Sequence, residues 1–280
     1  MNKYFTLRRA TLLLALTLPS FCWGFGGGNL ALIVIDASPD GDQTAAIAGL
    51  TPELGSASYT VSTNAGVPGG SLAGYKQIWD LRYVTALTGG DVTAYQTYLA
   101  GGGSLFLMGE NTAGVFAPRD NSILGMITTL GGGTLTFGSG LNTQTVFPPF
   151  TGPNTVATVS YAGVGATTTP GTGSFITKDA NNDGTAIVFP PGSLSGATSG
   201  TLVVVFDVNF LELNGTTPEL QALSANMIAY LAAPGPIVPP GTPGPPSLTL
   251  VLIGLTGLLA NEIRRRRVKR VKSLTSGWVA

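Results

Sequence analysis

The chain of 280 residues has no histidine, one cysteine, and charges on only 10% of its residues. Each scarcity removes chemistry. Without imidazole there is no serine–histidine triad, no histidine metal site and no histidine proton shuttle. The lone cysteine, Cys22, falls in an N-terminal segment that reads as cleaved, which leaves the mature chain without disulfides, thiolate catalysis or cysteine metal sites. Basic residues are scarce in the middle of the chain. Lys3, Arg8 and Arg9 lie at one end and seven more follow residue 263, leaving Lys76, Arg82, Arg119 and Lys178. Against these four bases stand thirteen acids, a net charge near −9 for the body. Such a body has no basic footprint for nucleic acid or anionic lipid. It suits cations, or solubility in a polymer-rich exterior.

The ends carry address signals. Lys3, Arg8 and Arg9 precede the apolar run Thr11 to Leu18, and a Pro19-Ser20 break follows. This order is that of a secretory signal peptide over residues 1–24. Cleavage after Cys22 and cleavage after Gly24 both fit. Phe21 stands where a lipoprotein signal has a small residue before its cysteine. At the other end, residues 234–246 hold seven prolines and read as a stiff, extended spacer. The apolar run Leu248 to Ala260 follows and ends at Arg264, Arg265, Arg266 and Arg267. Basic residues directly after such a run orient that side inward. The run is shorter than the roughly 20 residues that span a 30 Å hydrocarbon core, which a temporary anchor tolerates better than a permanent one.

This tail, from Pro243 to Arg270, resembles the PEP-CTERM sorting signal read by exosortases in Gram-negative bacteria. Pro245 and Pro246 lead into the expected sorting signal over residues 247–272, which opens at Ser247 and consists of a hydrophobic helix followed by the basic cluster with the four arginines. Gly244-Pro245-Pro246 replaces the family's Pro-Glu-Pro, so the cleavage position stays open. An unprocessed tail anchor is the alternative. The resemblance implies an exosortase and the secretion machinery as partners. It also implies transient membrane anchoring through the C-terminal hydrophobic helix, then release to the cell surface or extracellular matrix.

The body, residues 25–233, reads as one α/β domain. Leu30 to Asp36 and Thr201 to Asp207 are continuous apolar runs, as in strands covered on both faces. Ser104 to Met108 is another; Ser58 to Val61, Gln77 to Leu81 and Thr185 to Phe189 are weaker. Helices are expected around Gln43 to Leu50, Asp91 to Ala100 and Asn121 to Leu130, and after Thr217-Pro218, a cap with a first-turn proline. Alternating strands and helices predict a mostly parallel sheet flanked by helices, a three-layer sandwich. Residues 131–184, rich in Gly, Thr and Pro, read as a β-rich insertion leaving the sheet.

Gly101-Gly102-Gly103-Ser104 before Leu105 to Gly109 resembles the central unit of the class I glutamine amidotransferase-like fold, itself of the flavodoxin-like type. Val205 to Phe210 with Asn226 to Leu231 is similar to the closing strand and helix of its ThuA-like branches. The turn after the central strand is Gly109-Glu110-Asn111, where the enzymes place their cysteine. The resemblance therefore implies a scaffold without the family's catalytic cysteine.

Open α/β sheets bind ligands beyond the carboxyl ends of their strands. The polar residues at those ends are Asp36, Asp80, Glu110, Asn111, Asp207 and Asn209, with Arg82 and Arg119 as candidate partners. They form either a pocket for a polyol or sugar, or caps for loops and helices. Asp179, Asn181, Asp183 and Gly184 match the opening of a calcium loop, with the Thr185 carbonyl as a further ligand. Pro190 stands where that loop needs a bidentate glutamate, and Asn182-Asp183-Gly184 is also a hairpin turn. No cofactor other than calcium is suggested. Two function classes follow. One is a non-enzymatic, exosortase-sorted surface or matrix protein associated with exopolysaccharide or biofilm. The other is a carbohydrate-acting hydrolase using carboxylates.

Overall fold

The computed structural model of the chain describes residues 29–213 and 217–233. The segments expected to be a signal peptide, a proline-rich spacer and a sorting tail lie outside the described residues. Among the described residues no helix is long and apolar enough to cross a membrane.

The chain begins β1 (Leu30–Ile35), α1 (Gly41–Ser56), β2 (Thr60–Ala65), β3 (Gln77–Asp80), α2 (Gly89–Ala100), β4 (Ser104–Gly109) and α3 (Ala117–Thr129). Eight short strands follow: β5 (Phe137–Ser139), β6 (Thr143–Val146), β7 (Thr158–Ser160), β8 (Gly165–Thr167), β9 (Ser174–Phe175), β10 (Thr177–Lys178), β11 (Ala186–Phe189) and β12 (Thr201–Phe206). The described chain closes with α4 (Asn209–Glu212) and α5 (Pro218–Ala232). The main sheet runs β2-β1-β3-β4-β12-β11-β9. Its first five strands are parallel, β11 runs antiparallel to them, and β9, antiparallel to β11, runs again in their direction. The protein is thus a mixed α/β structure with a mainly parallel central sheet.

Alternation along the strands divides the core in two. Ile33, Trp79, Phe106, Met108 and Val203 pack against α1 and α5 on one face. Leu32, Ile78, Leu107, Val204 and Phe206 pack against Tyr95 and Leu99 of α2 and Ile123 and Ile127 of α3 on the other. Burial on both faces is why β4 and β12 read as unbroken apolar runs, and every residue of both is buried. Trp79 stacks on Phe106 at 4.5 Å between centroids, worth about 1 kcal/mol beyond burial.

Local chemistry sets the helix ends. Thr88 and Asp91 form a reciprocal capping box at the start of α2, a device worth about 1 kcal/mol. Asp40 caps α1 by accepting the Gln43 N–H at 2.9 Å. Helix α1 continues past Pro52 to Ser56, farther than the expected stop at Leu50. Pro52 removes one N–H from the ladder, but buried Leu50 and Leu54 hold the turns on either side of it to the core.

The β-rich stretch differs from its expectation. It does not simply leave the sheet: β9 returns to pair with β11 at the sheet edge. Its small sheet β10-β6-β7 supplies Val146, Val159 and Tyr161 to the same core as α1 and α5. Asn226 of α5 ties it down, its Nδ2 donating to the carbonyls of Phe150 and Asn154, each at 2.8 Å.

Candidate functional site

Register brings the strand ends level. Val34 pairs with Asp80, Asp80 with Leu107, and Gly109 with Phe206. The residues just past β1, β3, β4 and β12 therefore share one edge of the sheet, and Glu110 and Asp207 leave neighbouring strands side by side. The sheet order reverses between β1 and β3, the position where such folds place ligands.

At the end of β3, Asp80 is fully buried and surrounded by donors. Arg82 donates from Nε to Oδ1 at 2.9 Å and from Nη2 to Oδ2 at 2.6 Å. Arg119 Nη2 lies 3.2 Å from Oδ1, and the Tyr95 hydroxyl donates to Oδ2 at 2.8 Å. Burial pushes the Asp80 carboxyl upward, but Arg119 and Arg82 outweigh it and hold the group below its usual range. Arg119 also donates from Nε to the Met108 carbonyl at 2.9 Å, fixing α3 to β4. The expected pairing of Arg82 and Arg119 with a strand-end acid is thus present, and it falls on Asp80.

At the ends of β4 and β12 the arrangement reverses. Glu110 accepts the Val208 N–H at 2.6 Å on Oε2 and the Asn111 amide at 2.8 Å on Oε1. Asp207 accepts the Asn209 N–H at 2.8 Å on Oδ1 and the Ala162 N–H at 3.0 Å on Oδ2. Asp120 accepts the Glu110 N–H at 2.9 Å on Oδ1, while its Oδ2 is buried without a hydrogen-bond partner. Burial pushes the Asp207 carboxyl up to about 7, with Glu110 and Glu212 adding repulsion. Burial likewise pushes Asp120 up to about 7, with Glu110 repelling it and Arg119 only partly compensating. Glu110 is raised too, by burial first and by Asp42.

Asp120 was not legible as a site residue, because Pro118-Arg119-Asp120 reads as an ordinary first helical turn. Gly109 permits its approach: a Cβ there would stand 2.6 Å from Asp120 Oδ1 and 2.5 Å from the Phe206 ring.

The crevice above these acids is filled by the chain itself. Ala162 supplies the N–H on Asp207, and Tyr161 is buried against Phe210, centroids 6.3 Å apart. A Cβ at Gly165 would meet the Glu110 carbonyl at 2.5 Å. The loop from Tyr161 to Gly165 thus lies directly on the carboxyl ends of β4 and β12. Two surface cavities, of about 660 and 640 Å³, lie elsewhere: one beside Asn142, Lys178 and Asp179, the other between Leu72 and α2. Neither is lined by the strand-end acids.

The other expected residues are placed as follows. Asp36 sits at the end of β1, where Gln43 Nε2 donates to it at 3.2 Å and to the Leu81 carbonyl at 3.0 Å. Asn209 donates its side-chain amide to Glu212. Tyr83, packed beside this edge, donates its hydroxyl to Asp40. The turn after β4 has no left-handed residue: among the described residues, non-glycine positive φ occurs only at Ser58 and Asn182. Strained nucleophile turns rely on such backbone.

The expected calcium ligands form a hydrogen-bonded turn. Asp179 Oδ1 accepts the N–H groups of Asn181 at 2.7 Å and Asp183 at 3.0 Å, and Oδ2 accepts that of Leu141 at 2.8 Å. The Thr185 hydroxyl accepts from Gln144 at 2.6 Å, and its carbonyl accepts the Phe206 N–H at 3.1 Å. The carbonyl expected to serve as a ligand thus already accepts one hydrogen bond from β12. Among the described residues no three acids form a metal-holding group.

No protein-family model matches the chain, and comparison with curated proteins finds no match. Solved structures do resemble it. The N-terminal domain of mmIFT52 is 11% identical with a TM-score of 0.52, over 72% of this chain and 97% of that one. That likeness shows a shared fold. The exo-beta-1,4-mannosidase Op5Man5 from Opitutaceae bacterium strain TAV5 is 12% identical with a TM-score of 0.48, over 74% of this chain and 36% of that one. A ThuA-like protein from Bacteroides uniformis is 13% identical with a TM-score of 0.45, over 74% of this chain and 93% of that one.

Proposed function

We propose that the chain is an exported, non-enzymatic surface or extracellular-matrix protein, built on an amidotransferase-like scaffold that does not carry the catalytic cysteine. The observation that carries this reading is where the strand-end acids point. Glu110 and Asp207 direct all four carboxylate oxygens to donors of the protein itself, and the loop bearing Ala162 lies over them. Carboxylates bound in this way act as clamps between sheet, insertion and α4. General acid–base catalysis needs a carboxyl within reach of the substrate's proton. The tail supplies the destination: an exosortase reads it, the apolar run holds the chain briefly in the membrane, and the acidic body is released among exopolysaccharide.

The test has two arms. The full chain and a variant with Arg264, Arg265, Arg266 and Arg267 replaced by Gln are expressed in a Gram-negative host carrying an exosortase, then fractionated. The parent is expected to lose tail mass and leave the membrane, and the variant to differ in both respects. Intact protein in the membrane for both forms overturns the sorting reading. In the second arm, polysaccharide is incubated with the parent and with Glu110→Gln. Hydrolysis by the parent that the variant loses selects the carboxylate hydrolase instead.

A further inference from the structure

The outermost strand of the sheet, β2, has one neighbour, β1, and an open edge among the described residues. Thr60 donates its N–H to Asn29 and Gly66 to Ile35, at 2.7 and 2.9 Å. Residues 60, 62, 64 and 66 therefore turn their backbone groups inward. Val61, Thr63 and Ala65 turn theirs outward. Natural edges are blunted by lysine, proline or inward charge. Thr60 to Ala65 holds none of these, and no charged residue occurs between Glu53 and Lys76. The adjoining helix α1 holds its two acids outside the strand itself: Asp42 in its first turn, and Glu53, which accepts the Ser224 hydroxyl of α5. In a body with a net charge near −9, this uncharged strand lets a second copy approach with less like-charge repulsion than the acidic remainder.

We propose that β2 pairs with β2 of a second copy, antiparallel about a two-fold axis, to continue the sheet across a dimer. The outward groups fix the register. Thr63 stands opposite its own counterpart and Val61 opposite Ala65, the hydrogen-bonded pairs. Ser62 then faces Asn64 on the other side of the sheet, so hydroxyl and amide groups meet across the axis. Asn64 donates to the Ala65 carbonyl at 3.2 Å, which leaves that oxygen a second lone pair for the ladder. The contact is isologous and closes after two copies.

The register has a geometric signature. Hydrogen-bonded antiparallel pairs hold their Cα atoms about 5.5 Å apart, within the 4.4–6.8 Å span of a disulfide. Ser62 and its counterpart would be offset by two residues, about 8 Å apart and beyond that span. The full chain in a Cys22→Ser background, in mild detergent, is oxidised with glutathione disulfide after Thr63→Cys or Ser62→Cys substitution. Thr63→Cys is expected to run as a covalent dimer without reductant, and Ser62→Cys as a monomer. In parallel, light scattering of the unsubstituted chain is expected to give twice the monomer mass, halved in Thr63→Lys, which keeps a cooperative melting transition but loses the concentration dependence of its melting temperature. A monomeric parent, equal cross-linking at the two positions, no cross-linking at Thr63→Cys, or a Thr63→Lys variant that stays dimeric overturns the proposal. If Thr63→Lys fails to fold, the two cysteine variants decide alone.

Discussion

Two groups of buried carboxyls stand one strand apart on the same edge of the sheet, and they are kept there by opposite means. Asp80 is held by two guanidinium groups and a tyrosine hydroxyl. Glu110, Asp120 and Asp207 are held by backbone N–H groups and one amide, and their neighbours are mostly other acids. The first group keeps its charge and becomes brittle, because removing a partner strands a buried ion. The second gives up its charge readily, because burial and the neighbouring acids outweigh Arg119, the cation that acts on Asp120. With four bases in the body, compensation was available at only one strand end.

The comparison breaks most visibly at Arg119. Replacing it with Met leaves Asp80 half-compensated and frees the Met108 carbonyl. The expected loss is about 3–5 kcal/mol, the usual cost of breaking a buried ion pair from one side. Urea unfolding at pH 7 measures it. A loss below that of an ordinary surface substitution would mean that Arg82 alone suffices.

The next largest effect is the dependence of stability on pH, whose two contributions have opposite sign. Asp207 and Asp120 have folded values raised to about 7 from 3.8. Their contribution is fully present below about pH 4 and is lost as pH rises through 7, because the folded chain then carries more protons than the unfolded one. Asp80 is lowered, so its contribution is present above 3.8 and is lost as pH falls below it. Stability should decline between pH 5 and pH 8, by about 2–4 kcal/mol. Melting curves across that range test the sign. A rise would show that both acid groups are ionised and compensated.

Asp120→Asn sharpens the same point at a smaller scale. The amide oxygen keeps the Glu110 N–H, and the substitution removes the buried charge that burial and Glu110 disfavour. The variant is expected to gain about 1–2 kcal/mol at pH 8 and little at pH 4. Equal effects at both pH values would detach the result from ionisation.

The smallest effect concerns the turn at Asp179. Asp179→Ala removes the acceptor of three backbone N–H groups and should cost about 1 kcal/mol. Because that carboxylate already faces backbone donors, melting in calcium and in chelator should coincide for the parent. A higher melting point in calcium, lost in Asp183→Ala, would restore the ion-binding reading.

Much of the scaffold was legible because it obeys local rules. Leu30 to Ile35, Ser104 to Gly109 and Thr201 to Phe206 are apolar on both faces, and Pro218 opens α5 where expected, although the Thr217 side chain makes no capping hydrogen bond. The insertion was less legible. Its strands are two to four residues long, and their partners are distant in sequence: Phe137 pairs with Thr167, and Ser174 with Val188. Nothing in a run such as Gly165-Ala166-Thr167 states which backbone it will meet. The same holds for the site. The carboxylates at strand ends were visible from position alone, but their partners were not. Ala162, on Asp207, contributes only a main-chain N–H, which any residue but proline carries.

The loop from Tyr161 to Gly165 changes what an affinity measured at this edge would mean. A free solute seeking Glu110 or Asp207 competes with a segment joined to the same chain, whose effective concentration is about millimolar for a short tether. Its apparent dissociation constant would be the intrinsic one divided by the fraction of molecules with the loop lifted. Screening the intact chain for weak ligands would therefore miss compounds that the bare edge accepts. Shortening the loop would expose that edge without altering a single acidic residue.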